Sequence, residues 1–402
     1  MLIQIFLFLI AGTIIGTFTG LIPGIHINLI GVFLISLSAS LLISVDSIYF
    51  IVFIASMAIT HTFIDFIPSI FLGCPDTDTE LSILQGHQLL KKGLGYEAII
   101  LTCYGSLAAI FILILISFPS ILIIPKIYHF VPMLIPGLLM LTSFFLISLE
   151  KRKLSAFFVF ALTGILGVII LNPHQILGSP LALNQPLLPL LTGLFGGSML
   201  IISIKNKIKI PKQKITKPKT KLLKPIIGAL IASPLCSFLP GLGSGQAAII
   251  GNTISKTDKK GFLVLLGTTN TLVMGFSFIS LYIISKTRTG AAVAIQEIIG
   301  ELSWKILVLI LSTVFISGIL AFFLTVLLAK YFSQKIEKIN YTFLCVVTII
   351  TLLIVVFLAS KFLGLIVLIV STLTGVYCIS LGVKRTNMMG CLLVPTIILY
   401  LF

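Results

Sequence analysis

The 402-residue chain is 58% hydrophobic and only 9% charged, with a mean hydropathy of +1.22. A soluble domain of this size carries about 25% charged residues to cover its surface, so a soluble globular fold is excluded. The formal charge of +16 is unevenly placed: residues 1–150 hold three Lys/Arg against seven Asp/Glu, and residues 151–402 hold 24 against four.

Apolar segments run over 3–22, 27–44, 48–72, 97–124, 131–149, 154–171 and 186–204. They resume at 225–239, 245–255, 261–285, 302–329, 341–359, 361–382 and 388–402, with 290–301 as a short re-entrant or interfacial helix. Many approach or exceed the ~20 residues that cross a bilayer. The alternating segments of about 10 residues that mark a membrane β-barrel do not occur. These patterns predict an all-α polytopic protein of the cell membrane, with roughly 10 to 13 membrane-embedded helices, some only half-length. The start, Met1-Leu2-Ile3-Gln4, lacks a basic n-region, so the first span is expected to be retained.

Nine lysines fall within residues 205–224, together with Pro211 and Pro218 and no acid. This run predicts a cytoplasmic linker that follows the positive-inside rule. It also attracts anionic headgroups of membrane lipid; no nucleic-acid partner is expected. The linker divides the chain into a first transmembrane repeat (1–204) and a second (225–402).

A proline-glycine pair lies in each repeat. The first is Gly20-Leu21-Ile22-Pro23-Gly24-Ile25-His26, and the second is Phe238-Leu239-Pro240-Gly241-Leu242-Gly243-Ser244-Gly245-Gln246. In lipid such a break survives only where protein or a water-filled cavity covers the freed backbone groups. Paired breaks in corresponding halves mark a transporter of two repeats, commonly inverted, with its site between the broken helices near the midplane. A helix starting after each break points bare N–H groups and its positive dipole end at an anion. Pro23, Gly24, Pro240, Gly241, Gly243, Ser244, Gly245 and Gln246 are therefore candidate substrate contacts. The bland alternative is a glycine-lined helix packing face.

Other polar residues sit at membrane depth, where they are functional candidates by default. His26 and Asn28 follow the first break. His61 and Asp65 are four apart and share a helix face, as a proton relay, a cation site or a self-neutralising pair. Asp76 belongs to Cys74-Pro75-Asp76-Thr77-Asp78-Thr79-Glu80, which either binds a cation or caps the next helix. His61, Asp65 and Asp76 are the candidates for coupling to Na+ or H+. Thr269 and Asn270, in Gly267-Thr268-Thr269-Asn270-Thr271, need partners in lipid and either contact solute or bridge helices. Arg288 can hold a carboxylate or phosphate bidentately, or simply mark a loop end. Six scattered cysteines without a C-x-x-C pair indicate neither a disulfide framework nor a metal site.

The chain resembles the large membrane subunit of tripartite tricarboxylate transporters, closest to a shorter archaeal branch. The resemblance rests on both Pro-Gly stretches, on His61-Thr62-Phe63-Ile64-Asp65-Phe66-Ile67-Pro68, and on Gly73-Cys74-Pro75-Asp76. Gly86-His87, Gly93-Leu94-Gly95-Tyr96-Glu97-Ala98, Thr287-Arg288-Thr289-Gly290-Ala291 and Gly382-Val383-Lys384-Arg385-Thr386-Asn387-Met388-Met389-Gly390 extend it over nearly the whole chain. It implies ion-gradient-driven uptake of an organic carboxylate, assisted by a small membrane subunit and an external binding protein.

The expected function is a secondary active permease for a small anionic solute, a di- or tricarboxylate, working by alternating access; a homodimer is an accompanying expectation. A carrier for a lipid-linked phosphate such as polyprenyl phosphate is the alternative, because helix N-termini suit phosphate equally. An enzyme is not expected, since no nucleophile–base or metal constellation accompanies His61 and Asp65.

Overall fold

The computed structural model describes residues 2–23, 46–73, 79, 81–127, 130–148, 150–171, 186–206, 210–237, 244–287, 289–338 and 340–401. The described residues form helices and turns and no strand. Gly24, His26, Asn28, Asp76, Pro240, Gly241, Gly243 and Arg288 lie outside them. So do the predicted span over 27–44 and the backbone of the second break.

In chain order the helices before the linker are α1 (Leu2–Leu21), α2 (Ser47–Ile64), α3 (Phe66–Leu72), α4 (Gly95–Ile127), α5 (Val131–Ser148), α6 (Lys153–Leu171) and α7 (Leu187–Lys205). After it come α8 (Leu223–Ser237), α9 (Ser244–Ser255), α10 (Lys259–Ile284), α11 (Gly290–Ile299), α12 (Trp304–Lys335), α13 (Tyr341–Ser380) and α14 (Gly390–Leu401). Among the described residues, eight segments are long and apolar enough to cross a membrane; α2 and α3 count as one. Polar side chains start several of them. Asp46 accepts from the Ile48 N–H, Asp258 from Gly261, Ser303 from Ile306 and Asn340 from Phe343, satisfying donors that the first helical turn leaves free.

The sequence separates spans 341–359 and 361–382, and α13 is accordingly a hairpin. Lys361 has φ 56° and ψ −155°, and the chain folds back there. Ile349, Leu352 and Leu353 of one arm and Leu368, Ile369 and Leu373 of the other line one apolar cleft of about 160 Å³. Each arm of about 20 residues spans roughly 30 Å, enough for the hydrocarbon layer.

Two helical segments form the centre. The Ser47–Leu72 segment and α10 are buried over 94% and 100% of their most apolar stretches, whereas α1 is buried over 22%. The central pair is also the least apolar of the eight. Lipid demands apolar side chains only from helices that face it, so the protein-enclosed helices can carry hydroxyls and amides.

Close packing of small residues fixes directions. A Cβ added at Gly12 would lie 2.4 Å from the Phe53 carbonyl oxygen, and one at Gly16 would lie 2.4 Å from that of Met57. Backbones this close admit only glycine, and the ascending order makes α1 and α2 run in the same direction. In the second half α8 and α10 also start together, with Pro225 beside Gly261. Between halves, α4 and α10 run together. Glu97 pairs with Lys260, a Cβ at Gly267 would lie 2.0 Å from the Thr102 carbonyl oxygen, and Gly275 meets Leu113. By contrast α4 and α12 are antiparallel, with Cys103 against Phe322 and Ile110 against Gly318.

The lysine-rich stretch docks on the protein. Gln213 alone within 211–214 is buried. Its Oε1 accepts from the Gly95 N–H at 2.7 Å, its Nε2 donates to the Leu90 carbonyl at 3.1 Å, and the Lys214 N–H donates to Gly93 at 2.8 Å. This contact defines a linker face. The Ser47–Leu72 segment ends on that face, while α10 begins there.

Candidate functional site

The central helix of the first half opens at Asp65. Pro68 has no N–H to donate to Ile64 four residues earlier. The α2 ladder stops at Ile64, Asp65 sits at its C-cap with φ −60° and ψ −20°, and α3 restarts at Phe66. The Asp65 N–H still reaches the His61 carbonyl at 3.0 Å. A helix end inside the membrane needs partners for its carbonyls, and the other half supplies one. Asn270 Nδ2 donates to Asp65 Oδ2 at 2.9 Å and approaches the Thr62 carbonyl at 3.4 Å. Thr62 Oγ1 donates to Ile59 at 2.8 Å and lies 3.2 Å from Thr271 Oγ1. Its own proton is thus committed, and Thr271 donates to it.

Asp65, Thr62, Asn270 and Thr271 are all buried. A carboxylate here keeps its charge only with hydrogen-bond donors around it, and Asn270 is one such donor. Nearby, His61 Nδ1 lies 3.1 Å from the Thr19 hydroxyl, which ties α1 to α2 just before the first break. Ser69 Oγ donates to the Asp65 carbonyl at 2.7 Å and lies 2.6 Å from Thr79 Oγ1. The break is thereby braced on the α3 side as well.

The predicted residues that the structure describes are not all brought together. Asp65 and Asn270, predicted separately, meet directly. Thr269 instead returns its hydroxyl to Leu265 at 2.9 Å and Leu266 at 3.0 Å in its own helix; in the Thr-Thr-Asn-Thr run, positions 270 and 271 do the bridging. Ser244, Gly245 and Gln246 form the buried first turn of α9, which packs on α8 and α10. Pro23 lies in the turn that follows α1. Thr62 and Thr19 were not predicted as site residues. Thr62 stands inside the His61–Pro68 motif and Thr19 just ahead of the first Pro-Gly stretch, but a hydroxyl that reaches another helix looks like one that bonds its own.

A buried acid at a helix break, met by an amide from an oppositely directed helix of the other half, is the kind of intramembrane polar group that marks functional sites in polytopic membrane proteins. Comparison with known proteins agrees. Residues 6–390 match the Tripartite tricarboxylate transporter TctA family, and the chain belongs to that family. It is a multi-pass membrane protein and a transporter component, of a family that transports rather than catalyses. It is 34% identical over 409 residues to an uncharacterized protein of Methanocaldococcus jannaschii, covering 98% of each chain. No solved structure matches it.

Proposed function

We propose that the chain carries a small organic di- or tricarboxylate across the membrane, driven by a Na+ or H+ gradient. The observation that carries this reading is the Asp65–Asn270 contact, made between the halves where α2 opens. In broken-helix carriers, half-helix C-termini and freed carbonyls hold the coupling cation, and half-helix N-termini face the anionic substrate. The end of α2 offers the first arrangement: the Asp65 carboxylate, the Thr62 carbonyl and the paired hydroxyls of Thr62 and Thr271. The buried start of α9 at Ser244, Gly245 and Gln246 offers the second.

The halves act as inverted repeats in this reading, 1–204 and 225–402 on either side of the 205–224 linker. Three relations support it: α1 runs with α2 as α8 runs with α10, the two central helices run oppositely, and α4 runs opposite to α12. Rocking of one half on the other exchanges donors at Asp65, which links its protonation or Na+ occupancy to the side of opening. A small membrane subunit and an external binding protein accompany the family's large subunit, and this chain works with both in the full system.

Uptake of labelled citrate and succinate into proteoliposomes, under an imposed proton or sodium gradient, tests the proposal. Accumulation that collapses when the gradient is dissipated is the expected result. Folded protein that moves none of a panel of di- and tricarboxylates contradicts it.

A further inference from the structure

Three bases gather on the linker face, about 10 Å of α3 helix away from Asp65. His87 is buried, with its Nδ1 3.2 Å from the Ile70 carbonyl oxygen and no hydrogen-bond partner on Nε2. Its ring centroid lies 6.3 Å from that of Tyr341. Arg385 comes from the far end of the chain, opening the turn Arg385–Met389 after the α13 hairpin. Its Nη2 lies 3.0 Å from Met199 Sδ, a weak acceptor. Lys91 completes the group one helical turn on, its N–H donating to the His87 carbonyl at 3.1 Å, and the charges of Lys91 and Arg385 both act on His87.

The end of α3 packs closely against the group. Gly73, at φ +68°, ends α3 there, and a Cβ on it would lie 3.1 Å from the Met199 side chain and 3.6 Å from His87 Nδ1. Glu150, close in the fold to the turn that Arg385 opens, is committed elsewhere: it takes Lys384 at 3.4 Å and Asn387 Nδ2 at 3.4 Å. Like charges held together are unfavourable unless an opposite charge joins them. A guanidinium with free donors is suited to a planar or tetrahedral oxyanion.

We propose that His87, Lys91 and Arg385 form a binding site for a carboxylate or phosphate group on the linker face, where residues of the two halves meet. The site is separate from the Asp65 crossing and does not require the transport reading. Without an anion, burial, and then the Lys91 and Arg385 charges, push the His87 imidazole down to about 4. It is neutral at pH 7, with its Nδ1 proton on Ile70 and a bare lone pair on Nε2. An anion facing Nε2 favours the imidazolium over the neutral ring, so binding draws a proton onto that nitrogen and gives the anion a third donor.

Binding is tested on the purified full-length chain, by calorimetry and thermal unfolding with inorganic phosphate and with succinate. Saturable binding is expected, weakened about tenfold or more in Arg385→Gln and in Lys91→Gln, each of which removes one cationic hydrogen-bond partner. Lys91 is exposed, so its variant keeps the packing intact if Arg385→Gln fails to fold. Phosphate also stabilises proteins by exclusion from their surface, and the comparison with Lys91→Gln at equal ionic strength removes that effect.

Vesicles of phosphatidylglycerol and of phosphatidylcholine separate the sources. Competition between phosphatidylglycerol and free phosphate assigns the site to a headgroup, and binding indifferent to lipid assigns it to a soluble anion. Equal binding by wild type and Lys91→Gln overturns the proposal. So does binding that emerges only in Asp76→Asn/Asp78→Asn/Glu80→Gln, which would make the chain's own carboxylates the occupant. Loss of carboxylate uptake with phosphate binding intact would contradict the transport reading alone.

Discussion

The crossing at Asp65 and the cluster at His87 are built on opposite rules. At the crossing, one acid is met by a neutral amide from the other half. At the cluster, three bases stand together with a sulfur as the hydrogen-bond partner of Arg385. Neutral donors stabilise a carboxylate without cancelling its charge, which is what the proposed exchange of a donor for a proton or a cation at Asp65 relies on. In the proposed site the Lys91 and Arg385 charges are met by an anion from outside. The two proposals thus divide the molecule, with coupling assigned to the buried centre and anion binding to the linker face.

Breaking the frame that holds the crossing has the largest effect. Gly267→Leu places a side chain where even a Cβ meets the Thr102 carbonyl oxygen at 2.0 Å. Backbone cannot yield there as a side chain would, so the cost exceeds the usual 1–3 kcal/mol of overpacking. The variant is expected to give no monodisperse peak in detergent gel filtration; a wild-type profile would mean that α4 and α10 do not cross at this glycine.

Acidification separates the two regions next. His87 is buried with its imidazole held down to about 4, against 6.5 when unfolded. Below 6.5 the unfolded chain takes up a proton that the folded chain refuses until about 4. Stability is therefore full above about 6.5 and falls as the pH drops towards 4, by up to about 3 kcal/mol. Thermal unfolding across that range should show the fall in wild type and a flatter profile in His87→Gln. A bound anion should shrink it as well.

Smaller effects sharpen the contrast. Asn270→Ala removes a hydrogen bond to a buried charge, expected to destabilise by about 2 kcal/mol, and an unchanged unfolding midpoint would show that the amide does not support Asp65. Smallest is Gln213→Ala. It frees the linker from Gly95 and Leu90, with about 1 kcal/mol of local loss. Trypsin should then cut the lysine-rich stretch several-fold faster while the global unfolding midpoint barely moves.

Much of the architecture is legible in the sequence, because lipid forces a local code. Span 261–285 is α10 at 259–284 within a few residues, and the separate spans on either side of residue 360 are the arms of the hairpin. Asp65 and Asn270 are each legible as polar groups at membrane depth. Their pairing is not, since 205 positions separate them and no local pattern encodes which helices touch. The spacing of His61 and Asp65 draws attention to the right helix, yet Pro68 opens that helix and brings in Asn270 from the other half. Gln213 is hidden for a different reason: among so many lysines, one glutamine carries no compositional signal. His87 and Arg385 are visible within the family motifs, but their convergence depends on the α13 hairpin returning the chain to the linker face.

The most direct test of the central claim is Asp65→Asn in proteoliposomes, comparing gradient-driven accumulation of labelled succinate with its exchange at equilibrium. The isosteric amide removes the group that changes charge and leaves the shape of the crossing. Accumulation should vanish while exchange continues. A variant that still concentrates succinate to the wild-type level would place coupling elsewhere.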